Sequence, residues 1–214
     1  MKGIILIGDK AHGSDVSGKM SPCGTHREWK WSRDRWAQLE IMCKAYKIPL
    51  EFTSYGDKEP GLIQRVIEGN KIADRYPELF PVLLSLHNDA SKSDGTWGTA
   101  KGISLWTCKE HNTADTLAEL MLTELFKELP ETRHRIYDTK PGTRDFESNF
   151  TILVGRDKPT AIKPKYHPIL AEIGFQDNKE DFALLTNPRW NKKVEDALMS
   201  GILSINNWVI KQKS

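Results

Sequence analysis

With 214 residues the chain is long enough to bury one substantial core, and one domain over residues 1–214 is the expected organisation. Its 31 Lys and Arg against 29 Asp and Glu leave a charge of +2, and no basic block stands out, so nucleic acid is not an expected partner. Cys23, Cys43 and Cys108 are too few and too scattered for a disulfide framework or a cysteine zinc cluster, and the odd count fits a reducing compartment.

The N-terminal run Ile4-Ile5-Leu6-Ile7 is too short for a signal-peptide core and lacks a cleavage motif, so it reads as a buried strand from Gly3 to Gly8. A polar loop from Lys10 to about Gly24 follows. Next comes a helix carrying Trp29, Trp36, Leu39, Cys43 and Tyr46 at three- and four-residue steps, with its tryptophans as packing groups. A strand is expected over Pro49 to Tyr55, a helix over Gly61 to Asp74, and a nearly continuous apolar strand over Phe80 to Leu86, as befits a position covered on both faces. After a loop from Ser91 to Lys101, Gly102 to Cys108 alternates as a strand and Thr113 to Leu129 is helical. Pro130 to Phe150 is polar and unassigned. Pro168 to Phe175 reads as another central strand, and Pro188 to Lys211 as a final helix with Val194, Leu198, Ile202, Ile205 and Val209 on one side. No run reaches the length of a membrane span, so stable membrane insertion is not expected. The alternation of strands and helices predicts an α/β sandwich.

In such folds ligands gather beyond the carboxyl ends of parallel strands. His12 lies just past the first strand, His87 just past the third, and Glu172 inside the late apolar strand. Either histidine alone could be an ordinary hydrogen-bonded residue. A carboxylate between Ala171 and Ile173 in a core strand is harder to explain without a function, because an unpaired buried charge is expensive. Thr25-His26-Arg27-Glu28 has the spacing of a capping box, which local sequence favours and which would fold Glu28 back onto Thr25. A carboxylate in a first helical turn beside the His12 loop is equally a natural metal ligand. His26, His111, His134 and His167 sit in polar surroundings and are expected to be solvated. Two His and one Glu with an open position form a catalytic zinc set, and a further free Glu would be a general base.

These residues resemble a known family. Asp9-Lys10-Ala11-His12-Gly13 is similar to the Asp-Pro-Gly-His-Gly segment of the zinc-dependent N-acetylmuramoyl-L-alanine amidases of the Amidase_3 type. Glu28 falls at that family's ligand Glu, and Gln64-Arg65 with Asn70 resembles its Arg…Ala-Asn helix. Ser85-Leu86-His87-Asn88-Asp89-Ala90 looks like the segment bearing the third ligand. Pro168 to Asn178 closely follows the Pro-x-Leu-x-Glu-x-Gly-Phe-x-x-Asn stretch, and Gly201-Ile202 also fits. Lys10-Ala11 stand where the family has Pro-Gly, Asp89 stands where it commonly has Asn, and Ile162 to His167 is extra sequence that would let His167 approach the cleft. There is no sign of an autoinhibitory helical insert.

The resemblance implies a three-layer α/β sandwich with a mixed, mostly parallel sheet of about six strands flanked by helices. It implies Zn2+ held by His12, Glu28 and His87, Glu172 as the catalytic base, Asn88 and Asp89 as substrate contacts, and Arg65 as either a substrate contact or a residue supporting the metal ligands from behind. Peptidoglycan is then the partner, cut between N-acetylmuramic acid and L-alanine. A phage endolysin without signal peptide is the expected setting, made in the cytoplasm of a Gram-negative-type host and acting on the wall once the membrane is breached. Two other readings stand beside it: a zinc peptidase acting on the stem peptide, and a non-catalytic wall-binding or virion protein.

Overall fold

The apolar runs of the chain assemble into one six-stranded sheet in the computed structural model, which describes residues 2–137, 144–157 and 160–212. In chain order the elements are β1 (Ile4–Lys10), α1 (Glu28–Ala45), β2 (Leu50–Phe52), α2 (Leu62–Arg75), β3 (Phe80–Asp89) and β4 (Ile103–Thr107). They continue with α3 (Thr113–Glu128), β5 (Phe146–Glu147), α4 (Thr151–Val154), β6 (His167–Phe175), α5 (Lys179–Leu185) and α6 (Pro188–Lys211). The strand order is β2-β1-β3-β6-β4-β5. The first four run parallel, β4 runs antiparallel to β6, and β5 follows β4. This is the mixed, mostly parallel sheet the sequence implies.

Successive residues of a strand face opposite sides, so β1 feeds two cores at once. Ile4 and Leu6 join Trp36 and Leu39 of α1, Leu122 of α3 and Leu198 of α6, while Ile5 and Ile7 join Val66 of α2 and Ile152 of α4. Helices on both faces make the central strands apolar throughout, and the result is three layers. The α3–α6 contact is close enough to require glycine at 201, where a Cβ would stand 3.2 Å from the Met121 Cα. Asn187 caps α6 by accepting from the Arg189 and Trp190 amides, with Pro188 at the first helical position, where its missing N–H goes unneeded.

Several boundaries differ from expectation. Strand β2 is only three residues long; just past it, Thr53 donates its amide to the Gly8 carbonyl and its hydroxyl to Asp9. Strand β3 runs three residues past Leu86, so His87 lies within it. The unassigned segment supplies β5, joined to the sheet by two residue pairs, too few to leave a periodic signature. Helices α4 and α5, of four and seven residues, are likewise too short for periodicity to announce them. Among the described residues, no helix is long and apolar enough to cross a membrane.

Candidate active site

Strands β1, β3 and β6 end at one edge, and polar residues interrupt their apolar runs there. In register, Asp9 neighbours Ser85, and His87 neighbours Glu172, which in turn neighbours Ser104 of β4. Just beyond the His87–Glu172 pair the β3–β6 register shifts, and Asp89 pairs with Phe175. Gly174 provides the positive φ of 77° within this irregularity. The two strands stay paired past this bulge, and immediately before it His87 and Glu172 line a cleft of about 630 Å³. Asp9, His12, Lys19, Arg65, His87 and Glu172 line its floor, and Leu62 and Phe150 its rim.

His12, Glu28 and His87 converge in this cleft from a loop, a helix start and a strand, with one potential ligand atom of each lying within 4.8 Å of the others. His87 Nδ1 is 2.9 Å and His12 Nε2 3.4 Å from the same Glu28 oxygen, Oε1. The two imidazoles meet edge to face at 5.1 Å. The capping-box expectation for Glu28 is corrected. Arg27 is the N-cap and makes no side-chain cap bond, Glu28 is the first helical residue, and the Thr25 hydroxyl pairs with Cys23 Sγ instead. At the first helical position and not the third, Glu28 lies two residues too early for the box, and it is buried with its carboxylate toward the histidines. Burial by itself would raise its pKa, but bonds from His12 and His87 outweigh this and hold it well below the ordinary carboxylate range.

The fit to a metal ion can be judged from the donors. Two imidazole nitrogens and a carboxylate oxygen pointing at one another is the donor set of catalytic zinc sites with an open position. Tetrahedral ligands about 2.0–2.1 Å from zinc stand roughly 3.3 Å apart, close to the 2.9 and 3.4 Å seen here. Beside them, Glu172 Oε2 is buried with no hydrogen-bond partner among the described residues, an orphan that calls for a water or substrate proton. The residues therefore fit the ion. Burial, then the negative charges of Glu28 and Asp89, raise the Glu172 pKa well above its usual value, against smaller opposing effects of Lys19 and Arg135.

Supporting contacts explain how the donors are held. His12 adopts φ 43°, a strained conformation for a non-glycine residue. Arg33 of α1 sustains it by donating to the carbonyls of both Ala11 and His12. Ser32 accepts from the Ala11 amide and donates to the Leu86 carbonyl, tying the His12 loop to β3. Gln176 Nε2 donates to Glu28 Oε2 at 3.0 Å, and the Asn88 amide donates to Oε1 at 3.2 Å. The local sequence gave no signal for Ser32, Arg33 or Gln176, since they reach the site only through the folded structure.

The three residues expected as substrate contacts occupy different places, with Arg65 at the cleft floor. Arg65 is buried and saturated: it bonds Asp9 and Glu59 and donates to the Lys10 carbonyl, which suits it to shaping the His12 loop. Asn88 points to the opposite face of β3, where its side chain joins His26 and the Ile173 carbonyl. Asp89 is half-buried and paired with Arg135 at 3.1 Å. Two histidine expectations are also corrected. His26 is buried, not solvated, because its ring bonds Asn88 behind the site. His167 begins β6 beside Val82, at the far end of the strand from Glu172, stacked on Phe80 at 4.3 Å, so it does not approach the cleft.

Known proteins share this fold. The chain is similar in structure to an N-acetylmuramoyl-L-alanine amidase from Clostridium difficile 630, with a TM-score of 0.75 and 21% identity over 95% of this chain and 97% of that one. The amidase Ami1 from Mycobacterium smegmatis gives a TM-score of 0.74 and 17% identity over 96% and 97%. The catalytic domain of the CD27L endolysin targeting Clostridia difficile gives 0.60 and 15% over 95% and 98%. No curated protein is a detectable sequence relative. The sequence matches the Amidase_3 family, described as N-acetylmuramoyl-L-alanine amidase, over residues 5–204. The chain belongs to the N-acetylmuramoyl-L-alanine amidase family.

Proposed function

We propose that this chain hydrolyses the amide bond between N-acetylmuramic acid and L-alanine in peptidoglycan, with Zn2+ held by His12, Glu28 and His87 and with Glu172 moving the proton. The observation that carries this reading is the convergence of those three donors within 4.8 Å, beside a carboxylate left without a partner, in a member of this family. When bound, zinc supplies the positive charge that acidifies water to a pKa of about 7 and stabilises the charge developing on the carbonyl oxygen.

The chain's own groups do the rest. Glu172 takes the proton of the attacking water as the C–O bond forms. It returns that proton to the nitrogen of L-alanine as the C–N bond breaks, giving a free amine and a lactyl carboxylate. In the metal-free chain burial raises the Glu172 pKa, which favours the protonated form that hands the proton to the leaving amine. Gln176 and the Asn88 amide fix the Glu28 carboxylate, and Arg33 with Ser32 fixes His12, so the donors are set before substrate arrives.

Mass spectrometry of purified peptidoglycan digested with the zinc-loaded protein tests the reading. It predicts free stem peptides beginning with L-alanine and intact glycan. Shortened stems still attached to muramic acid would identify a stem-peptide peptidase instead, and an undigested wall would identify a non-catalytic protein. The proposal extends to a lytic role, supported at the level of fold by the endolysin domain. Cells with a permeabilised outer membrane should then clear in zinc and cease to clear in chelator.

A further inference from the structure

On the cleft side of the sheet α2 and α4 pack against β1, β3 and β6, whereas β4 and β5 carry a row of aromatic rings. The row starts at the cleft. Ser104 is the register neighbour of Glu172, and the Trp106 indole donates to the Ser104 hydroxyl at 3.2 Å. Phe150, on the cleft rim, lies 5.5 Å from Trp106. Trp106 lies 4.9 Å from Phe146, its register partner on β5, and Phe146 lies 6.1 Å from Tyr137. The two ends of the row, Phe150 and Tyr137, are 42% and 73% exposed.

A cation is built into the row. The Arg135 guanidinium sits 5.4 Å from the Phe146 ring and 4.7 Å from Phe175, and it donates to Asp89, two residues beyond His87. The row is thereby tied to the strand end that carries a proposed zinc ligand. Trp106 packs partly against the core and Phe146 is partly buried, but the line ends in two large exposed rings, Phe150 and Tyr137, which core packing alone would not leave at the surface.

We propose that this row is a glycan platform, which holds the N-acetylhexosamine units next to the muramoyl residue whose amide lies at Glu172. A pyranose ring has two C–H faces that lie flat against aromatic rings, and a rim of hydroxyl and acetamido groups that accept hydrogen bonds from a guanidinium. Rings in series beside an arginine match that chemistry unit by unit. The carboxylate-bearing stem peptide presents no such repeating apolar face. Phe150, which lines the cleft and neighbours Trp106, joins the platform to the cleft, so the sugar side of the scissile bond lies toward β4 and β5. The inference rests on the amidase reading for what occupies the cleft, but its test does not require hydrolysis.

The probe is N-acetylglucosamine tetramer, which has no muramoyl amide to cut. Calorimetric titration of the full chain should detect binding, and Phe146→Leu, which keeps apolar volume and loses the ring, should weaken it about ten-fold. Tyr137→Ala, at an exposed position, should weaken it as well, and equal melting temperatures would exclude misfolding. The proposal is overturned if the wild-type chain does not bind the tetramer, or if both variants bind it unchanged. It is also overturned if the variants lose affinity for a free stem peptide instead. Ring-dependent tetramer binding without release of stem peptides from the wall would keep the platform and remove the amidase.

Discussion

Glu172 does the proton chemistry in this account, and the same placement burdens the fold. Burial together with Glu28 and Asp89 raises its pKa, so at neutral pH its ionised form is less welcome in the folded chain than in the unfolded one. A carboxyl with a folded pKa above its unfolded value gives stability below that unfolded value, near 4.3, and loses it as pH rises through the folded pKa. Glu172→Gln should therefore raise the melting temperature of the metal-free protein near pH 7, and the gain should fade on acidification. The same variant should lower hydrolysis about 10²–10⁴-fold while keeping its metal. An active variant, or one that melts lower at pH 7 than at pH 4.5 relative to wild type, would contradict the assignment. Gln176→Leu removes the bond to Glu28 Oε2 and should weaken zinc binding roughly 10–100-fold; competition with a chromogenic chelator reads this directly. His12, His87 and Glu172 were legible in the sequence because each breaks or ends an apolar strand. Glu28 was ambiguous because capping and ligation ask for the same residue at nearly the same place. Gln176 was invisible because nothing local distinguishes it until β6 is laid beside β3.

At the scale of elements, α1 is the part that brings Glu28, Ser32 and Arg33 to the strand ends, and Trp36 is its anchor. The Trp36 indole is fully buried, stands edge to face with Phe52 at 5.4 Å, and donates to the Asp9 carbonyl at 3.1 Å. Trp36→Ala should destabilise the fold by about 3–5 kcal/mol, measured as a lower urea midpoint. A loss under about 1 kcal/mol would mean that α1 is held by other contacts. The long elements were legible because their periodicity is sustained: the last helix has the bounds expected of it, and β6 begins one residue earlier than expected. Strand β5 and helices α4 and α5 were not, since two to seven residues cannot establish a period. The end of β3 was misjudged because His87, Asn88 and Asp89 look like a loop by composition, yet they stay in the ladder where a bulge accommodates the site.

Across the whole molecule, the strand order puts β1, β3 and β6 side by side, so residues 12, 87 and 172, far apart in the chain, share one edge. The third proposed donor, Glu28, reaches that edge on a helix that packs against a different core from α2. A ligand that bridges a loop, a helix and a strand and binds only the folded state stabilises all three together. Zinc at a hundred times its dissociation constant should add about 2.7 kcal/mol and raise the melting temperature, and chelator should reverse the gain. An unchanged melting curve would argue against a site built from three elements. The most direct measurement is diffraction from zinc-loaded crystals recorded on both sides of the zinc absorption edge. The account predicts one strong anomalous peak within bonding distance of His12, Glu28 and His87, with Glu172 beside it but not ligating. A peak coordinated elsewhere, or one bound by Glu172 in place of Glu28, would contradict it.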